Sequence, residues 1–443
     1  MNRDLLAKLQ DWNRSERRKP LVLMGARQVG KTWLMEEFSR VCYPEDTVKV
    51  NFMTDDVLRD TMEHVNLDAQ SVIEVIETAT SRKIVAGRTL LLMDEIQEAP
   101  RALTALKFFQ EQMPQLAIIV AGSLLGVAVN RNRKKGTREK PARVSFPVGK
   151  VNFLDVRPMT FVEFLDAIGE TGKSAAIRGE KWSVMESMSP AFEDLVRKYA
   201  LVGGMPEAVL TYSLTRNLAD VRKVQQEILQ AYDEDFAKHI EGAMLQKVRL
   251  LWRSVPAQLA KENKKFIYTA LREGARAREY EVALEWLEDA GMVCRVNRVT
   301  RPDLPLKAYE EFGAFKLYAH DVGLVSAMSE LPPSVVLEGN KAFTHAKGML
   351  AEQLVLEELV ARDVHPYYWS PDDTRAEVEF VVQGERTVFP IEVKAEKNLK
   401  AKSLKIYSER FSPERCLLFS MDRRSPGTRV DGYPLYAIAA VRL

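Results

Sequence analysis

The chain has 443 residues, 46% hydrophobic and 28% charged, with a formal net charge of +2, which is the make-up of a soluble globular protein of two to four domains and excludes a chain-wide polyelectrolyte attraction to nucleic acid. No apolar run approaches the roughly 20 residues a membrane helix needs, and residues 1–5 show no signal-peptide core, so the expected location is the cytoplasm with no membrane partner. Cys42, Cys294 and Cys416 stand far apart and the five histidines are scattered, which excludes a disulfide framework or a zinc site.

The first apolar run, 21–24, reads as a buried strand. It leads into Gly25-Ala26-Arg27-Gln28-Val29-Gly30-Lys31-Thr32, which fits G-x-x-x-x-G-K-[ST] without a mismatch, and a helix pattern follows. Strand, glycine loop, helix is the order that phosphate binding requires. Glycines let successive N–H groups turn toward phosphate oxygens, and the helix N-terminus adds positive potential. In that reading Lys31 reaches the β/γ-phosphates of ATP and Thr32 ligates Mg²⁺.

A second strand is expected over 48–52 and a third over 89–93, the latter ending in Asp94 and Glu95. An apolar strand closed by two carboxylates is the Walker B pattern: Asp94 for the magnesium shell, Glu95 as general base toward water. The helix over 100–113 places Leu103, Leu106, Phe109 and Met113 at helical spacing, a face that packs on a sheet. A strand over 116–122 precedes Ser123, a sensor toward the γ-phosphate or an ordinary strand-end turn. Next comes the most cationic segment, with Arg131, Arg133, Lys134, Lys135, Arg138, Lys140 and Arg143 against the single acid Glu139. It reads either as a solvated loop or as a contact to nucleic-acid backbone. A last strand is expected over 150–155. The alternation of strands and helices predicts an α/β fold with a parallel sheet, ending near residue 158.

Residues 159–240 read as a helical lid, interrupted by a tight turn at Gly203-Gly204 before Met205-Pro206. Residues 241–340 read as a winged helix. Helices are expected over 265–271 and 279–290, the second with Tyr280, Ala283, Leu284, Leu287 and Ala290 on one face and Gly291 as its stop. A strand over 292–296 follows, and Arg272, Arg276, Arg278, Arg298 and Arg301 would line a DNA-facing side. The same pattern also serves protein–protein contacts.

The segment 341–443 predicts a helix over 348–361, strands over 367–370, 376–382 and 387–395, a helix over 401–411 and a strand over 416–420. Period-2 alternation puts Glu392 and Lys394 on one face, with Ile391 and Val393 opposite. Carboxylates from adjacent strands could hold Mg²⁺ beside a lysine. Spacing does not separate this from a half-exposed sheet with its charges outside, and the residues alone favour the latter.

The order of motifs resembles that of bacterial and archaeal P-loop ATPases of the AAA+ superfamily with a C-terminal PD-(D/E)XK endonuclease-like domain. The P-loop, Leu92-Met93-Asp94-Glu95-Ile96-Gln97, Ala121-Gly122-Ser123-Leu124-Leu125, Gly203-Gly204-Met205-Pro206-Glu207, Pro390-Ile391-Glu392-Val393-Lys394 and the segments 145–151, 157–164 and 315–324 carry the resemblance nearly end to end. It implies an ATPase core (1–158), helical lid (159–240), winged helix (241–340) and nuclease-like α/β domain (341–443). It also implies self-association, with an arginine or lysine such as Arg143, Lys150 or Arg157 completing a neighbour's site. It raises Glu352, Glu379, Glu392 and Lys394 to a metal site, active or remnant. Ala26 stands where proline is common, Ser123 where Asn or Thr is, and Glu379 where Asp is usual. The function expected is an ATP-hydrolysing, DNA-binding protein that remodels or recognises DNA, with branched or recombination DNA among the candidate substrates. Two alternatives stand beside it: a metal nuclease switched by ATP, and a signalling ATPase with protein partners.

Overall fold

The computed structural model describes residues 3–122, 147, 149–261, 264–337, 344–374, 376–395 and 401–443. Ser123, Arg131, Arg133, Lys134, Lys135 and Arg138, with Lys140 and Arg143, lie outside the described residues. The chain divides into two compact units, one of Arg3–Arg157 with Asp289–Met292, the other chiefly of Pro158–Glu288 and Val293–Leu443.

The first unit runs α1 (Leu5–Arg14), β1 (Leu21–Met24), α2 (Lys31–Cys42), β2 (Thr47–Asn51), α3 (Asp56–Met62), α4 (Ala69–Thr80), β3 (Leu90–Asp94), α5 (Pro100–Gln112), β4 (Ala117–Ala121) and β5 (Asn152–Asp155). The strands form one sheet in the order β2-β3-β4-β1-β5, with every neighbouring pair parallel. β3 and β4 are buried along their whole length because helices cover both faces, which is why they read as unbroken apolar runs. Val22, Leu91, Met93, Ile118 and Val120 pack with Ile76, Leu106 and Phe109 from the helices. Local chemistry sets the helix starts: Asp55 and Asp68 accept from the N–H groups of Leu58 and Ser71, and Pro100 opens α5. β5 begins at Asn152, two residues later than expected, because the Lys150 N–H closes a turn onto Pro147 O. Parallel strands deliver the ends of β1, β3 and β4 to one sheet edge, where such folds bind ligands.

The second unit opens with α6 (Phe161–Ala167), α7 (Thr171–Arg178), α8 (Trp182–Ser187), α9 (Ser189–Val202), α10 (Pro206–Thr215) and α11 (Leu218–His239), so the expected helical stretch forms. Between α9 and α10, Gly203 has φ +73°, and a Cβ there would lie 2.3 Å from Asp321 Oδ1. Asp321 is fully buried and accepts from Gly204 N at 2.6 Å and Leu324 N at 2.8 Å.

Next come α12 (Gly242–Leu259), α13 (Ala277–Asp289), β6 (Val293–Val299) and β7 (Glu310–Ala319). α13 buries the face expected of it, and Trp286 as well. The helix expected over 265–271 does not form, apart from a 3-10 turn at Tyr268–Ala270. Tertiary pairing overrides local propensity there: Phe266 N donates to Phe315 O, and the Gln258 amide donates to Ile267 O. The chain closes with α14 (Val322–Met328), α15 (Pro333–Leu337), α16 (Thr344–Ala361), β8 (Tyr367–Trp369), β9 (Val378–Gln383), β10 (Val388–Val393), α17 (Lys402–Phe411), β11 (Cys416–Ser420) and β12 (Val430–Pro434).

The hairpin β6–β7 belongs to a seven-stranded sheet of order β12-β11-β10-β9-β8-β6-β7, joined through the pairing of Arg298 with Tyr368. Strands from 293–319 and 367–434 therefore share one sheet across residue 340. β7 and β12 were not expected as strands from the sequence. β10 is buried on both faces, which overturns the half-exposed sheet: Glu392 is 1% exposed.

Candidate nucleotide-binding and hydrolysis site

The loop between β1 and α2 takes backbone conformations that its glycines permit. Gly25 has φ +132° and Gly30 +92°. A Cβ on Gly25 would fall 2.1 Å from Val156 O, so no other residue fits there without moving the chain. Gln28, a non-glycine, also has positive φ at +63°, local strain of the kind stored at functional loops. Ala26 and Val29 are buried and anchor the loop, while Arg27 is half-buried and Gln28 exposed. α2 starts at Lys31, behind Gly30. The Lys31 ammonium is 9% exposed and donates to Gly25 O at 2.9 Å and Ala26 O at 2.7 Å, spanning the loop. Within the same unit, a Cβ on Gly291 would lie 3.1 Å from Ala26 N, so the residue read as a helix stop also packs on the loop.

Thr32 Oγ1 donates to Asp94 Oδ2 at 2.9 Å, joining residues 62 apart in sequence. The second Asp94 oxygen accepts from Glu95 N at 3.1 Å. Burial pushes the Asp94 carboxyl up from its ordinary value and the Glu95 charge adds to this; the Thr32 bond, and the Lys49 charge more weakly, pull against that shift. Glu95 has φ +51° and is half-buried, and its carboxylate accepts from Gln97 Nε2 at 2.5 Å. The left-handed turn at Glu95 ends β3 abruptly and aims the two neighbouring carboxylates differently. A hydroxyl and a carboxylate, both hard oxygen donors, meet at the mouth of the loop, a donor set that fits Mg²⁺. A desolvated carboxyl whose partners are a hydroxyl and an amide also gains its charged form when a cation sits beside it.

One residue beside this loop carries no signal in the sequence. Arg3 is 4% exposed, and its guanidinium donates to Val29 O at 3.0 Å and to Arg157 O at 2.6 Å. Of the residues considered for completing a neighbour's site, Lys150 pairs with Glu111 at 2.9 Å and Arg157 with Asp155 at 3.6 Å, both at the surface.

In the second unit Glu352, Glu379, Glu392 and Lys394 do converge, together with residues the sequence did not point to. Lys394 Nζ lies 2.7 Å from Glu392 and 3.7 Å from Glu379. Glu392 also accepts from Leu404 N at 3.1 Å, and Glu379 from Val393 N at 3.3 Å. Glu352 is held by the Lys264 ammonium and by Tyr318 OH at 3.2 Å. Lys316, wholly buried, pairs with Glu377 at 2.6 Å and lies over the Tyr368 ring. Burial pushes the Glu379 carboxyl up and the Glu352 charge adds to the shift; Lys394 opposes both. Burial works against the Lys316 charge, but Glu377, Glu352 and Glu379 hold it protonated. Lys264, Lys316 and Lys394 are thus interleaved with Glu352, Glu377, Glu379 and Glu392. Among the described residues, no group of three or more His, Cys, Asp or Glu side chains is placed to hold a metal ion. Lysines and N–H groups contact the carboxylates named for that role, in a buried ionic network.

Of the residues expected to face DNA, Arg276 and Arg278 are exposed, as is Arg272. Arg298 is different: it pairs with Glu311 and with Asp372 at 2.7 Å, its side chain 15% exposed, and bonds Ser370 O. Its guanidinium links β6–β7 to the 370–372 turn. Its place in the sheet puts acids on either side of it. Arg301 pairs with Asp303. No helix among the described residues is long and apolar enough to cross a membrane.

Residues 17–165 match the family model of an AAA domain. Residues 193–335 and 347–434 match two domains of unknown function, DUF8612 and DUF4143. No curated protein matches the chain significantly. Among solved structures, a Walker-type ATPase of Pyrococcus abyssi is similar over 74% of this chain and 95% of its own, at 12% identity and TM-score 0.46. ORC1 of Aeropyrum pernix, in complex with DNA, is similar over 75% of this chain and 92% of its own, at 14% identity and TM-score 0.29. Likenesses this remote say nothing of activity or ligand. The P-loop and the acidic end of β3 both fall within the residues that match the AAA-domain model.

Proposed function

We propose that this chain binds and hydrolyses ATP at the edge of the parallel sheet. The observation that carries the reading is the 2.9 Å bond from Thr32 to Asp94, which joins the phosphate loop to the acidic strand end. Lys31 would exchange its bonds to Gly25 and Ala26 carbonyls for the β- and γ-phosphates, and the loop N–H groups would line the same anion. Thr32 and Asp94 would hold a magnesium ion, which when bound neutralises phosphate charge. Glu95 takes the proton of the attacking water, and Gln97 orients its carboxylate. Ser123 follows β4, the strand beside β1, and is assigned the sensor role from that place in the sequence. Lys31→Ala should abolish ATP binding. Glu95→Gln should leave binding intact and reduce turnover by at least about a hundredfold, the usual worth of a general base. Measured ATPase and equilibrium binding check both, and a Glu95→Gln rate equal to the parent would remove Glu95 from the mechanism.

DNA is the partner favoured for the rest of the chain. The observation behind this is the exposure of Arg272 and Arg276, just before α13, and of Arg278 in its first turn, with the basic run at 131–143 in the sequence. The ATPase rate with and without single-stranded, duplex and four-way-junction DNA tests it. A rate unchanged by all three at low salt would favour protein partners instead. The metal-nuclease reading draws no support from Glu352 and Glu392, whose oxygens are held by Lys264, Tyr318, Lys394 and Leu404 N.

A further inference from the structure

Arg3 lies outside every motif in the sequence. Its guanidinium is nonetheless buried against the phosphate loop, bonding Val29 O on one side and Arg157 O on the other. A trans peptide points its C=O and N–H in opposite directions. The carbonyl of the 29–30 peptide turns toward Arg3, so the Gly30 N–H of the same peptide turns away from Arg3. Gly30 has φ +92° and little intrinsic preference for one orientation. Something outside the loop must therefore hold this peptide, and a charge-assisted bond at 3.0 Å is suited to that.

Arg3 is itself held. It precedes α1, which packs on α2 through the buried Leu9 and through an edge-on contact of Trp12 with Phe38 at 6.2 Å. Tyr43 OH, beyond the end of α2, bonds Asn13 Oδ1 at 2.8 Å. The strap is thus fixed to α2 at its far end and to the loop at Arg3, while the bond to Arg157 O ties in the chain leaving β5.

We infer that Arg3 is a positioning residue for the phosphate loop: it fixes the 29–30 peptide with its N–H available to the triphosphate and adds a buried positive charge behind the anion. The inference rests on the ATP reading above and assigns to that site a residue from the N-terminal strap.

Arg3→Ala, Arg3→Lys and the parent would be compared as full-length chains in three measurements. Deuterium exchange without nucleotide reads loop order directly: exchange over 25–32 should rise in Arg3→Ala and remain unchanged over 69–80. The KM for ATP should rise roughly tenfold, the scale of one lost charge-assisted bond, with kcat changed far less. Arg3→Lys keeps the charge and can reach one carbonyl, so it should fall between the two. A uniform increase in exchange across the unit would show a structural residue only and overturn the proposal. So would unchanged exchange and KM in Arg3→Ala with parental ATP binding intact. Failure of the parent itself to bind ATP would overturn the ATP reading and the consequence drawn from it, while the exchange result judges the clamp separately.

Discussion

At the scale of single residues, the phosphate loop leaves little latitude. Gly25→Ala must place a methyl 2.1 Å from Val156 O at a φ of +132°. It should lower stability by about 2–3 kcal/mol, since overpacking and backbone strain add, and it should lose ATP binding in the fraction that folds. Thermal unfolding and equilibrium binding read the two effects. The ionic network gives a sharper contrast. Lys394→Met removes the ammonium 2.7 Å from Glu392, whose side chain is 2% exposed. Breaking a buried pair from one side costs about 3–5 kcal/mol. Glu379→Gln, a few ångströms away, should cost less than about 1 kcal/mol near neutral pH. Burial and Glu352 already push Glu379 toward its neutral form, which an amide resembles. Denaturation midpoints of the two variants decide this, and equal losses would show that Glu379 is charged in the folded chain.

Between elements, one carboxylate ties the α9–α10 turn to the start of α14. Asp321 accepts from Gly204 N and Leu324 N, and both bonds favour its charged form. Full burial outweighs them and pushes the carboxyl up to about 6 from 3.8. A folded pKa above the unfolded value favours protonation in the folded state. The stability this contributes is complete below about pH 4 and is lost as pH rises through about 6. Relative to Asp321→Asn, which does not titrate, the parent should lose about 1 kcal/mol between pH 5 and pH 7. Thermal melts of both proteins across that range check the sign, and a parent that gains over the variant would reverse the assignment. Asp321→Ala should cost about 2–4 kcal/mol at any pH, because it leaves two N–H groups buried without an acceptor.

At the scale of the whole molecule, a net charge of +2 gives no long-range pull on DNA. Any affinity must come from local clusters, and it should fall steeply between about 50 and 200 mM salt. Replacing Arg272, Arg276 and Arg278 by alanine should flatten the slope of log K against log salt by at most about three. The same change at Arg298 should act on stability instead, because Glu311 and Asp372 would lose their partner. Salt titrations of DNA binding, set beside melting temperatures, separate these two behaviours.

What the sequence determined by itself is what depends on neighbours along the chain. Eight contiguous residues, 25–32, specify a loop whose glycines and lysine act on one another, and four- and five-residue apolar stretches specify β1, β3 and β4 around it. The buried face of α13 follows from helical spacing, which also is local. Tertiary structure decided which polar groups meet. Arg3 and Arg157 are 154 residues apart and Lys264 and Glu352 are 88 apart, and no spacing rule reaches across such separations. The alternation in β10 correctly put Glu392 and Lys394 on one side, but a period of two is blind to what covers that side. Water and a docked lysine both satisfy a carboxylate, so only the packing of the chain on itself could turn that charged face into a buried ionic network.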